Sequence, residues 1–202
     1  MKSYVLKVSA LLLAGAALLT ACHKDDNNNP APSNNGNGGN TSGSCTNNGL
    51  AKFLKVGNKL VYDYSEVYTD DSVFTMEVTG TTSAGSYQFA LTGGGQVFAS
   101  APARVMRECN DWVKVSASGE PTNLTYKLNR AQGDSWVVGS STYTVVEKNV
   151  TVSTPAGNFV CDKLSYYTPG TINTDTIYYN NDIGQVKYDG LLYEYTLRSK
   201  NF

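Results

Sequence analysis

The chain predicts an all-β domain. Between Lys59 and Arg198, Tyr, Val and Thr dominate, and clusters of Gly, Asn and Pro interrupt them about every 8–12 residues. Helical periodicity is weak throughout, and only Asn47 to Leu54 has the pattern of a short helical turn. The expected architecture is a single antiparallel curved sheet, barrel-like or sandwich-like, following a disordered tether.

The first strand, Lys59 to Tyr68, shows the alternation of a half-buried strand. Leu60, Tyr62 and Tyr64 fall on one face, and Val61, Asp63 and Ser65 on the other. Further strands are expected at Ser72 to Thr79, Ser86 to Leu91, Ala103 to Arg107, Trp112 to Ser116 and Leu124 to Leu128. The second half predicts Tyr143 to Lys148, Val150 to Ser153, Phe159 to Tyr167, Asp175 to Tyr179, Gln185 to Tyr188 and Leu192 to Arg198. The apolar phase flips near Val145-Val146, which implies a bulge or turn at Glu147-Lys148-Asn149. At Thr154-Pro155-Ala156-Gly157, Pro155 presets φ for a turn and Gly157 relieves the steric limit after it. Phe159 and Cys161 then share one face, while Val160, Leu164 and Tyr166 share the other, both partly buried. Lys59 to Phe74 aligns without gaps on Lys163 to Tyr178. A chance match between two Tyr/Thr-rich hairpins explains this more simply than duplication.

Ahead of these strands lies an address. Lys2 and Lys7 precede an apolar run that ends at Leu19-Thr20-Ala21-Cys22. This is the pattern of a lipoprotein signal peptide over residues 1–21, with Cys22 the lipidated first residue of the mature chain. The run is too short and interrupted for a membrane span, which needs roughly 20 apolar residues. Lys24, Asp25 and Asp26 resemble the surface-export signal of Bacteroidetes-type lipoproteins; a solvated charge cluster is the equal alternative. Residues 22–44 carry the lipid and an Asn/Gly-rich tether that cannot bury apolar area. Its reach is about 25 Å, at roughly 5–6 Å times the square root of residue number. Residues 45–202 form the globular domain, long enough for a real core.

Several motifs resemble a known group. Phe53-Leu54-Lys55-Val56-Gly57-Asn58 is followed by Tyr62, then Gly133-Asp134-Ser135-Trp136. Val150 to Leu164 holds Thr154-Pro155-Ala156-Gly157-Asn158-Phe159-Val160-Cys161-Asp162-Lys163, and Ile183-Gly184-Gln185-Val186-Lys187 closes the series. This order resembles a family of secreted or lipid-anchored domains of unknown function common in Bacteroidetes. Lys59-Leu60-Val61 stands where that family often has an aromatic, and Asn158 replaces its usual Thr. The resemblance implies an antiparallel all-β curved sheet or barrel and carries no catalytic residues.

Chemistry is constrained mainly by absence. The only His is His23, beside the expected anchor, so the usual Ser-His-Asp and Cys-His mechanisms have no base in the domain. No Cys or His spacing suits zinc, and Gly93-Gly94-Gly95 lies between strands, not before a helix. Neither a metal nor a cofactor is expected. Carboxylates that a glycosidase would need are scattered: Asp63, Glu66, Asp70, Asp71, Glu77, Asp134 and Glu147, with no spacing that selects a pair. Without Lys2 and Lys7 the chain has 14 basic against 17 acidic residues and no basic run, which argues against nucleic acid.

Export permits disulfides. Cys45 opens the domain and Cys109 precedes the turn Asn110-Asp111, which favours Cys45–Cys109, with Cys161 as a buried thiol; Cys109–Cys161 is the rival. Asp71-Ser72-Val73 and Asp175-Thr176-Ile177 match the short acceptor pattern of Bacteroidetes O-glycosylation at Ser72 and Thr176. Thirteen Tyr and two Trp in the domain suit stacking on sugars or peptides, although Tyr is also simply a good strand former.

The expected protein is a non-enzymatic envelope lipoprotein that binds a partner or supports an assembly. Its partners would be a glycan, peptide or envelope protein, with the lipid its only membrane contact. It would sit in the outer membrane facing outward, or the periplasm as the alternative. A carrier of an apolar ligand in a β-cavity is the second reading, and a carboxylate glycoside hydrolase the third.

Overall fold

The computed structural model describes residues 45–66, 69–94, 103–117, 119–121, 123–171 and 174–202. The signal peptide expected over residues 1–21, the expected lipidation site Cys22, the expected export residues Lys24, Asp25 and Asp26, and the expected tether lie outside them. Twelve strands form: β1 (Lys59–Glu66), β2 (Thr69–Thr81), β3 (Tyr87–Gly93), β4 (Ala103–Cys109), β5 (Trp112–Ser116) and β6 (Asn123–Lys127). They continue as β7 (Ser135–Val138), β8 (Ser141–Thr154), β9 (Gly157–Tyr167), β10 (Asp175–Asn180), β11 (Gly184–Asp189) and β12 (Tyr193–Lys200). All belong to one antiparallel sheet, nearly closed into a barrel, ordered β6-β5-β4-β3-β2-β1-β12-β11-β10-β9-β8-β7. No helix occurs among the described residues.

The order puts the first and last strands side by side and leaves the gap in mid-chain, between β6 and β7. Side chains span that gap. Trp136 Nε1 donates to the Thr125 carbonyl at 3.0 Å, and Trp136 meets Trp112 edge-on at 5.8 Å. Lys127 pairs with Asp134 at 2.6 Å.

β1 shows the expected alternation, with Leu60, Tyr62 and Tyr64 all buried on the inner face. The two strands expected at 143–148 and 150–153 are one continuous β8. Its register shifts between Val145 and Glu147 and again between Glu147 and Val150, and Asn149 has φ 61°. The phase flip is thus a double bulge, which bends a strand without ending it. β7 was not expected; at four residues it is too short to show alternation. Pro155 and Ala156 form the two-residue turn between β8 and β9, with Gly157 at φ 124°. Beyond it, Val160 turns outward and is 56% exposed while Leu164 is fully buried, so the two do not share a face.

The aligned segments are not equivalent. Tyr62 pairs with Phe74, whereas Tyr166 pairs with Asp175, not with Tyr178. Phe74 is buried in the core, and Tyr178 faces out beneath Lys187.

One end of the barrel is plugged by residues 45–58, which place Ala51, Phe53 and Leu54 in the core. No helix forms over the expected helical turn at 47–54; only a single hydrogen-bonded turn closes, from the Leu54 N–H to the Ala51 carbonyl at 3.0 Å. Gly49 sits at φ 69°, and the Glu108 carboxylate accepts the N–H groups of Asn48 (2.9 Å), Leu50 (3.1 Å) and Ala51 (2.9 Å). Cys45 is bonded to Cys109, adjacent to Glu108, and Cys161 is a free buried thiol. The bridge closes a loop of 64 residues. The chain-entropy relation gives about 4 kcal/mol for a closure of that size.

Candidate functional site

Tyrosine is large, and at alternate positions of a barrel strand it points inward with its hydroxyl still needing a partner. Here the inner face collects tyrosines from six strands around a hollow of about 230 Å³. Tyr62, Tyr126, Tyr143, Tyr166, Tyr188, Tyr193 and Tyr195 line it, with Phe74, Met76, Leu91, Ile177, Gln185 and Arg104 between them. The rings pack on each other. Tyr188 stacks on Tyr195 at 5.2 Å, and Tyr62 stacks on Phe74 at 4.6 Å.

Gln185 organises the hydroxyls. The Tyr62 hydroxyl donates to the Gln185 carbonyl at 2.8 Å, Gln185 Nε2 donates to Tyr126 Oη at 2.7 Å, and the Tyr195 hydroxyl donates to Gln185 Oε1. A bulge places this residue. Tyr178 pairs with Lys187 but Tyr179 pairs with Gln185, so Val186 is the extra residue. The bulge brings Gln185 onto the same face as Tyr188, three positions away. Tyr188 in turn donates to Asp175.

Arg104 reaches the hollow from β4. It pairs across the ladder with buried Phe89 and therefore shares its inward face. It is the only charged lining side chain among the described residues. Burial pushes the phenols of Tyr62, Tyr126, Tyr143 and Tyr195 above their ordinary range, Tyr126 to about 12, and the Arg104 charge pulls each part of the way back. The site can therefore present neutral hydroxyls, aromatic faces and one cation to a small molecule.

At the plugged end the charged groups pair with one another, although Arg130 Nε and the Tyr179 hydroxyl are buried without a hydrogen-bond partner. Arg130 and Lys148 both reach Asp162 Oδ2 at 2.8 Å. Arg130 also donates to the Tyr179 carbonyl at 3.3 Å and lies over that ring at 4.9 Å. Burial pushes its guanidinium below the ordinary value, with Asp162 opposing.

The residues singled out from sequence lie elsewhere. Asp63 and Asp71 line an open groove on the outer face with Glu194, and Asp63 is paired with Arg198 at 3.0 Å. Glu66 accepts from Tyr64, Asp134 is held by Lys127, Glu77 is half-buried on β2, and Glu147 is exposed at the β8 bulge. The side chain of Asp70 lies outside the description. The structure gathers none of these carboxylates in the hollow. Ser72 is paired with Tyr64 and borders the same groove, and its hydroxyl is buried without a hydrogen-bond partner. Thr176 is half-buried beside buried Ile177. Of the paired tyrosines, Tyr166 and Tyr179 face in and Tyr167 and Tyr178 face out. Tyr167 is the sole aromatic among the exposed large apolar residues described. Arg104 and Gln185 were not singled out as site residues. Among the described residues, no group of His, Cys, Asp and Glu is placed to hold a metal ion. The chain matches no family model, no curated protein and no solved structure.

Proposed function

We propose that this protein is a non-enzymatic small-molecule-binding barrel, held at the bacterial envelope by a lipid on Cys22. The observation that carries the reading is the hollow of about 230 Å³ whose tyrosine rings are fixed by Gln185. A dry cavity of about 150 Å³ accepts benzene, so this one suits a flat ligand of one or two rings. The aromatics that suggested an exposed platform are mostly turned inward, which favours an enclosed ligand over a surface-bound glycan or peptide. Preformed aromatic walls with a few fixed polar groups are the usual make-up of such sites.

The test is saturable binding of 2-naphthamide to the full chain, followed by ligand-observed NMR. Met76→Trp, which fills the hollow from β2, should abolish it while the melting transition is retained. Absence of binding, or binding that survives Met76→Trp, overturns the reading. Anchoring is tested separately: Cys22→Ala should release the chain from the membrane fraction, and retention after a salt wash sinks that part.

A further inference from the structure

Arg104 has no counter-ion among the described residues. Among the described residues, no carboxylate lies within ion-pair distance of it and no hydrogen bond engages its guanidinium. The other cations of the interior are held: Arg130 and Lys148 share Asp162. Glu108, on the same strand, is engaged by three backbone N–H groups of the plug, and Asp175 by the Tyr188 hydroxyl. Arg104 is half-buried and faces aromatic walls, a setting in which an ion pair is screened less than on the open surface. Its planar fork fits a carboxylate through two parallel hydrogen bonds.

We infer that the hollow is selective for a flat aromatic carboxylate, with Arg104 binding the carboxylate and the tyrosine rings enclosing the aryl body. This rests on the binding reading above and specifies its ligand class. The Gln185 network engages hydroxyls and not ring faces, several of which already stack on one another around the hollow. An aryl group can therefore stack without breaking that network. The opposite charge, an aryl ammonium, would meet Arg104 with like-sign repulsion.

The experiment compares 2-naphthoate with 2-naphthamide, which share a ring system and differ in charge, on the full chain at neutral pH. 2-Naphthoate should bind at least about tenfold more tightly, as a charge-assisted bidentate pair in a partly dry site provides. Arg104→Met should bring the two ligands to equal affinity, and Arg104→Lys should retain part of the preference. Equal affinities in the unaltered protein, with both ligands bound, overturn the carboxylate inference and leave the binding reading standing. A preference that survives Arg104→Met overturns it as well. Binding of neither ligand overturns both.

Discussion

Glu108 and Arg104 stand on the same strand, four residues apart and about 13 Å along it at the usual rise of a strand. The Glu108 carboxylate is 1% exposed and accepts three backbone N–H groups from residues 48–51. Arg104 faces a hollow of about 230 Å³ and has no ionic partner among the described residues. The interior thus has two chemical characters. Where the chain itself provides the ionic partners, charge holds the fold together: Glu108 seats the plug, Cys45–Cys109 ties it down, and Asp162 gathers Arg130 and Lys148. Where it does not, charge is left available to something else. Substitutions at the two ends should therefore move different observables.

The largest effect is expected at Asp162. Asp162→Asn leaves two cations facing each other in a buried setting, and losing one member of such a cluster costs about 3–5 kcal/mol. Urea unfolding should show a lower midpoint at unchanged slope, with ligand affinity preserved for the folded fraction. A cost below 1 kcal/mol would mean that water reaches this cluster and that the contrast between the two ends is overdrawn.

Glu108→Gln comes next. The amide keeps the shape but loses the charge and offers one acceptor oxygen to three N–H groups. The expected cost is about 1.5–3 kcal/mol, the range for hydrogen bonds to a charged group. Hydrogen exchange should speed up at Asn48, Leu50 and Ala51 before the rest of the barrel responds. Uniform exchange would show that the plug is not a separate unit.

The tyrosines give a pH test of smaller amplitude. Burial raises their folded-state pKa, to about 12 for Tyr126, against about 10 in an unfolded chain. A raised phenol pKa means that folding favours the neutral form. Its contribution to stability is complete below pH 10 and is lost as pH climbs through about 12. Tyrosinate absorbance at 295 nm should accordingly rise late, together with loss of near-ultraviolet circular dichroism. A simple titration centred on pH 10 with the fold intact would place these hydroxyls in water.

Most of the fold was legible because one face of each strand is apolar. Leu60, Tyr62 and Tyr64 announced β1, and the phase flip at Val145-Val146 announced the β8 bulges. The site was harder to read for the same physical reason. In β4, Val105 and Met106 are both buried, so alternation does not reveal which way Arg104 points. At Gln185, the extra residue Val186 reverses the phase that periodicity would assign. Ser72 resembled a surface acceptor because Asp71 and Val73 flank it, yet its pairing with Tyr64 turns the hydroxyl inward. The order of strands was not readable from composition, and it is this order that brings β1, β11 and β12 together to assemble Tyr62, Gln185 and Tyr195.

The smallest stability effect is expected at Arg104 itself, and it decides the comparison most directly. Arg104→Met keeps the length and apolar stem of the side chain while deleting the charge. If nothing in the chain pairs with the guanidinium, removing it sacrifices no contact and relieves the cost of holding a cation among aromatic rings. Stability should then stay within about 0.5 kcal/mol of the parent or rise, as for a substitution away from any structural network. Glu108→Gln, on the same strand and also removing one charge, is expected to cost several times more. The two variants measured side by side in urea isolate position from chemistry. Equal losses would show that Arg104 is built into the fold as firmly as Glu108. A loss at Glu108 alone would mark Arg104 as a charge that the fold tolerates without using.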